Sequence, residues 1–334
     1  MNKRLSKSMG NPWFQRGMIL VIIIIIMAFF QRRFFTWSNL NSVLIAICLY
    51  GTMACGMLFP VLIGGIDLSV ASTAAVCGSI LARTVVNGDF TIGSFLVGIL
   101  IGFIVAIIIG ALHGVLAATF RLPAFVVTLA TQYLLFGIVL WYTNSTYIFT
   151  IGDTVGGSIF EYIGKGRVLG FLPFPVLFFF ITIALCIILL TKTSFGRKIY
   201  ITGGNPAAAI LVGVKTKLYT FTAYIICSIF AACAGMLLVS MNAKAGSDTA
   251  RGYEGLALMT MVVGGINLAG GEGGVEGAVF GALIVGVITN MLTLLGVTSD
   301  YTKFYQGIII LAAVSLNEIM RSRSMKTGKL TKTN

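Results

Sequence analysis

The chain has 334 residues, 57% of them hydrophobic and 10% charged, far from the roughly one-quarter charged of a soluble domain. With a mean hydropathy of +0.99, this excludes an ordinary soluble globular protein and predicts an integral membrane protein. The net charge of +13 would suit nucleic acid, but the basic residues gather at the two tails and in one loop, with no basic stripe interleaved with aromatics, so membrane topology accounts for them better.

Residues 1–16 form a basic tail with Lys3, Arg4, Lys7 and Arg16. Met18 to Phe30 is densely apolar and is followed by Gln31-Arg32-Arg33 rather than a small-residue cleavage site, so it reads as a retained first span. Further apolar runs lie at roughly 43–63, 67–87, 92–117, 122–143, 168–190, 217–240, 255–270, 275–296 and 303–320. Each is near the ~20 residues a helix needs to cross the hydrocarbon core. The expectation is an all-α polytopic membrane protein of about ten transmembrane helices, some interrupted by Gly-Gly, with both termini cytoplasmic. The membrane-embedded body covers 17–320, the loop 144–167 faces out, the loop 191–217 faces the cytoplasm, and a basic tail occupies 321–334. This topology puts 15 of the 23 basic residues inside, with Arg32 and Arg33 as the clearest discord.

Two segments resemble each other: Leu62-Ile63-Gly64-Gly65-Ile66-Asp67-Leu68-Ser69 and Val262-Val263-Gly264-Gly265-Ile266-Asn267-Leu268-Ala269. Paired glycines interrupt helices, and Asp67 with Ser69 suits the cap of the helix that follows. Interrupted backbone at membrane depth must be buried in protein or line a water-filled cavity, so Gly64, Gly65, Asp67, Ser69, Gly264, Gly265 and Asn267 are candidates for helix breaks or a pathway. Asp67 is the one acid expected at membrane depth, where an ionised Asp costs roughly 2.5–3.5 kcal/mol on insertion scales, so it should cap, pair or sit at a wet edge. The eight-residue match is either an internal repeat or local convergence.

The fourth run places a small residue at every fourth position, Ser94, Gly98, Gly102, Ala106, Gly110, Gly114 and Ala118, the pattern that lets helices approach closely. Gly273, Gly277 and Gly281 repeat it. It serves static packing or, alternatively, a sliding surface. His113 lies inside this stripe, with no second metal-type residue near it in sequence.

The segment 191–217 carries Lys192, Arg197, Lys198, Lys215 and Lys217 and no acid. Gly203-Gly204 reads as a turn, Asn205 as a helix N-cap and Pro206 as the first helical position, followed by Ala207, Ala208 and Ala209. A short helix on a basic loop suits docking to a partner; a loop that merely fixes topology is the other reading. The glycine run 264–274 lacks the Gly-Lys-Ser/Thr ending of a phosphate loop. The six cysteines, Cys48, Cys55, Cys77, Cys186, Cys227 and Cys233, all fall in apolar runs with no CxxC pair and read as packing residues. No catalytic constellation, metal set or cofactor motif is evident in the chain.

Together, GGIDLS at 64–69, Gly110-Ala111-Leu112-His113-Gly114, Leu122-Pro123-Ala124-Phe125-Val126-Val127-Thr128-Leu129, Phe195-Gly196-Arg197 followed by GGNPAAA, and GYEGLALMTMVVGGINLAGGEGG at 252–274 resemble the ribose/galactose/xylose-type permeases of bacterial ABC importers, over about residues 40–320. Two departures stand out: the family usually has Asn at the place of His113, and Gly-Tyr-Glu-Leu where this chain has Gly252-Tyr253-Glu254-Gly255. The resemblance implies a permease subunit in the bacterial cell membrane. It would pair with a second copy or a paralogue, a cytoplasmic ATP-binding protein (often a fused tandem) that uses ATP and Mg, and an extracytoplasmic sugar-binding protein. It implies that a helix from Asn205 to about Val214 couples to the ATPase, giving Gly203, Gly204, Asn205, Pro206, Ala207, Ala208 and Gly213 as coupling candidates. Gly98, Gly102, Gly110 and Gly114 remain packing candidates. An ABC permease for a nucleoside or another small polar solute, an ion-coupled secondary transporter using Asp67 and His113, and a membrane-embedded enzyme are the alternatives.

Overall fold

The computed structural model describes residues 17–18, 20–25, 29, 31–150, 155–298, 301–312 and 315; the two basic tails and Asp153 lie outside the described residues. The chain is mostly helical. The helices are α1 Trp37–Leu62, α2 Val70–Asn87, α3 Ile92–Ala118, α4 Ala124–Tyr142, α5 Val155–Lys165, α6 Phe174–Ile187, α7 Ser194–Gly204, α8 Pro206–Leu211, α9 Thr216–Asn242, α10 Tyr253–Val263 and α11 Val275–Leu294. A π-helical turn, Ile188–Lys192, extends α6. Seven of these helices, α1 to α4, α6 with its π-turn, α9 and α11, are long and apolar enough to cross a membrane. Described residues within 17–29, and 301–312, are helical where the first and tenth apolar runs were expected.

Local chemistry sets the boundaries. Thr36 and Thr91 cap α1 and α3, accepting from the Asn39 and Ser94 amides at 3.4 and 3.1 Å. Three expectations shift. The run 255–270 is helical only as far as Val263, the end of the 11-residue α10 that begins at Tyr253, because Gly264 and Gly265 end it. The run 168–190 opens with a two-residue hairpin, β2 Arg167–Val168 against β3 Leu172–Pro173, and the prolines at 173 and 175 place the helix start at Phe174. Gly203 and Gly204 form the last turn of α7 rather than a free turn, and the chain breaks at Asn205, which is extended at φ −156°.

The α9 helix is the central column, packed against α1, α2 and α3. Almost all of α1 from Ile47 onward is buried. One face of α3 lies on the bundle, whereas Leu96, Leu100, Ile104, Ile108 and Leu112 are exposed on another. The small-residue stripe meets two partners. A Cβ built on Gly98 would meet Leu81 of α2, and one on Gly102 would meet the Met236 methyl of α9. At Gly110 it would fall 2.6 Å from Ile225 Cα, and at Gly114 2.7 Å from Phe221 Cα. Toward its C-terminal end, then, α3 lies backbone to backbone on α9. A methionine methyl yields and a backbone does not. Gly110→Ala is therefore expected to cost about 1–3 kcal/mol, and Gly102→Ala distinctly less. Thermal unfolding of the two purified variants in one detergent measures the difference, and equal shifts would refute the backbone contact.

At the far end of α9, β4 Lys244–Ala245 pairs antiparallel with β1 Ile148–Phe149, stitching the loop after α9 to the loop after α4. Lys244 pairs with Asp248 at 3.4 Å and lies over the Tyr147 ring at 4.1 Å.

Candidate functional site

The α1 helix ends in a tight reversal in which the Gly64 and Gly65 amides bond the Val61 and Pro60 carbonyls, both at 2.9 Å. Gly64 has φ +82°, which only glycine adopts freely. Three residues on, Asp67 Oδ1 accepts from the Ser69 amide at 2.8 Å and the Ser69 hydroxyl at 2.6 Å, closing an Asx turn immediately before α2. Thr128 of α4 buttresses the turn, its Oγ1 accepting from the Leu68 amide at 3.1 Å.

The Asp67 side chain is buried. Its Oδ2 faces Nδ1 of the equally buried His113, on α3, at 3.7 Å. Tyr224 of α9 sits edge-on to the His113 ring, with centroids 6.1 Å apart, and its hydroxyl presses on Gly65, where a Cβ would collide with it. The two residues singled out separately in sequence, Asp67 and His113, are thus one polar pair held by three helices and a turn. Among the described residues no group of three His, Cys, Asp or Glu side chains converges as a metal site.

The second break repeats the chemistry of the first. Gly264 and Gly265 end α10, and Asn267 Oδ1 accepts from the Ala269 amide at 3.0 Å, the same Asx turn that Asp67 makes. The positive φ falls on Gly64 at the first break and on Gly265, one place later, at the second. The helix following the first break starts at Val70, whereas the second is followed by a glycine-rich loop up to Val275. Gly264 packs on the Gly277 carbonyl of α11, and Gly281 on the Thr260 carbonyl of α10.

That loop brings the site together. The Gly271 amide donates to the Leu62 carbonyl at 2.8 Å. A Cβ on Gly270 would fall 2.7 Å from the Gly64 amide nitrogen, and one on Gly271 would fall 2.7 Å from Gly204 Cα. A Cβ on Gly203 would collide with the Leu62 carbonyl oxygen and crowd the Gly271 nitrogen. Three glycine pairs, 64–65, 203–204 and 270–271, therefore meet at a single backbone junction. Tyr200, one turn earlier in α7, fastens it by donating to the Gly273 carbonyl at 2.8 Å. Burial and the nearby Glu276 carboxylate raise the Tyr200 phenol above its ordinary pKa, so it stays a donor.

From this junction α8 projects. Asn205 caps it, Oδ1 accepting from the Ala208 amide at 3.0 Å, and Pro206 takes the first helical position. The helix stops at Leu211, short of Val214, and Gly213 turns the chain at φ +78°. Ala207 and Ala208 are exposed, Ala209 is buried, and Ile210, Leu211 and Val212 protrude at 60, 87 and 72% exposure, an apolar tip beside Lys215 and Lys217. Sequence reading had placed the glycine pairs 64–65 and 203–204 in the site without joining them. It missed Gly270 and Gly271, which lay in plain view in the glycine run, and Leu62, Tyr200 and Tyr224, which carried no signal. Gly264, Gly265 and Asn267 shape the second break and hold the loop rather than entering the junction.

The chain is 36% identical to the ribose import permease protein RbsC of Escherichia coli (strain K12) over 304 residues, covering 90% of this chain and 92% of the relative. It is 34% identical to RbsC of Bacillus subtilis (strain 168) over 298 residues, covering 89 and 90%. To the L-arabinose transport system permease protein AraH of Escherichia coli (strain K12) it is 33% identical over 315 residues, covering 92% of each. No solved structure matches it. The profile of the family described as branched-chain amino acid transport system / permease component matches residues 39–314, and the chain, a multi-pass membrane protein, belongs to that family.

Proposed function

We propose that the chain is the membrane-spanning permease subunit of an ATP-driven importer in the bacterial cell membrane, and that it forms the path for a monosaccharide delivered by an extracytoplasmic binding protein. In this reading ten spans leave both termini, 1–16 and 321–334, in the cytoplasm, where the loop 191–217 meets a separate ATP-binding protein, often a fused tandem, that consumes ATP and Mg. The loop 144–167 faces out. The path lies between this chain and a second permease subunit, a copy or a paralogue, and this chain carries no catalytic site of its own. The relatives' printed substrates, ribose and L-arabinose, support a small sugar.

The observation that carries the reading is the pairing of an exposed apolar tip on α8 with a base fused, backbone to backbone, to the turn ending α1 and to the loop after α10. A partner that grips the tip moves the first break and the loop after α10 together, which is what coupling requires. A mild-detergent pull-down of the tagged chain from its native membrane tests this: a stoichiometric ATP-binding protein is the expected companion. Ala208→Pro removes the amide that Asn205 Oδ1 accepts from, so it should dissolve the cap, abolish ATP-dependent uptake and release the ATP-binding protein while the chain still inserts. Normal uptake by a well-expressed variant would sink the docking role of α8.

The buried Asp67–His113 pair is the observation that favours a second reading, proton-coupled secondary transport. Uptake in liposomes by the chain alone, without ATP and abolished by an uncoupler, would establish that reading instead.

A further inference from the structure

Between α3 and α6 runs a groove of about 230 Å³. Ile99 and Phe103 of α3 form one wall, Phe178 of α6 the other, and Met236 of α9 the floor; Phe160 and Ile163 of α5 close one end. We propose that this groove holds one acyl chain of a membrane phospholipid. The inference rests on the chain's spanning a membrane and is independent of what it transports.

The lining admits an apolar ligand only. Its one hydroxyl, Ser240, donates to the Phe160 carbonyl, and the only other polar side-chain group in the lining is the weakly polar Cys233 thiol, too little to hold a sugar or an ion. The groove is also continuous with the lipid-facing surface: Leu96 and Leu100 flank it on α3, and Ile181, one turn from Phe178, lies beside it on α6, all exposed. Width decides between a lipid and a second copy of the chain. A helix with its side chains is about 10–12 Å across and cannot enter a slot of this volume, whereas an acyl chain is one methylene thick. The α5 cap fits the same occupant. Phe160 points in and is buried, while Glu161 and Lys165 pair at 3.2 Å on the exposed side, so the helix is apolar toward the groove and polar away from it. An unfilled slot would leave its lining without dispersion partners, and an acyl chain supplies them.

The test uses the purified complex reconstituted in vesicles containing a phospholipid with a diazirine near the end of one acyl chain. After irradiation, adducts are mapped by mass spectrometry. Adducts should concentrate several-fold on Ile99, Phe103, Phe178 and Met236 over the exposed Leu112 and Ile188. Ile99→Trp, which fills the slot from its rim, should erase that enrichment, and Phe178→Ala, which widens it, should increase labelling. Adducts spread evenly over the exposed apolar faces, enrichment unchanged in Ile99→Trp, or groove residues left unlabelled while the exposed faces are labelled, as when another protein chain covers them, would each overturn the assignment. If Ile99→Trp does not fold, Phe178→Ala decides: labelling at or below the wild-type level overturns it.

Discussion

Alanine at Gly203 is expected to abolish uptake, while alanine at Gly204, one residue later, leaves it close to wild type. The two glycines are chemically alike and adjacent in the last turn of α7, yet a Cβ at 204 points into open space and one at 203 collides with the Leu62 carbonyl. Nothing there can yield by rotating, because the obstacle is backbone. The α7 helix must lift from the α1 end and the 270–271 loop. Overpacking of this kind costs about 1–3 kcal/mol. Separating the Gly271 amide from the Leu62 carbonyl adds about 1–3 kcal/mol where the freed groups stay buried. Thermal unfolding of both variants, together with ATP-dependent uptake, reads the contrast. Two equally active variants would mean that the junction is looser than its geometry, and two inactive ones would mean that helix α7 itself, rather than the contact, is what matters.

Asp67→Ala should destabilise the protein by about 1–3 kcal/mol, because it strands the buried amide and hydroxyl of Ser69, while Asp67→Asn should cost much less. The carboxylate does two jobs. Oδ1 gathers the amide and hydroxyl of Ser69, and Oδ2 faces His113. Asparagine keeps the first, as Asn267 demonstrates at the second break by making the same turn with an amide. Alanine keeps neither and leaves His113 buried opposite a methyl. Unfolding midpoints of the two variants in the same detergent decide the order. If asparagine were as harmful as alanine, the charge facing His113, and not the turn, would be what holds this break.

The sequence carried this site unevenly, for physical reasons. Asx turns and caps are local, so Asp67 and Asn205 could be read from a few neighbours. The short-range pattern of small residues on α3 was equally plain, but not its division between a flexible side chain at Gly102 and the backbone of α9 at Gly110, since that depends on where a partner more than a hundred positions away lies. Gly203-Gly204 illustrates the limit best. Paired glycine suggests a turn, and local propensity would place one there, yet the pair completes a helix because the close approach of Leu62 and Gly271 forbids a side chain at 203. The glycine signal was correct and its local explanation was not. Similarly, the apolar run 255–270 counted residues without regard to Gly264-Gly265, and the helix obeyed the glycines.

Helix α9 joins two places that are otherwise far apart. It is 27 residues long, about 40 Å at 1.5 Å per residue, and continuous. One end leaves the α8 loop at Lys215; the other turns left-handed at Ala243 and enters the β4 strand that pairs with β1. A single unbroken strut therefore carries the short helix α8 at its foot and a strand pair at its head. Linkage makes such a strut work in both directions. If a protein bound at the foot changes the affinity of another bound at the head by some factor, the second must change the affinity of the first by that same factor.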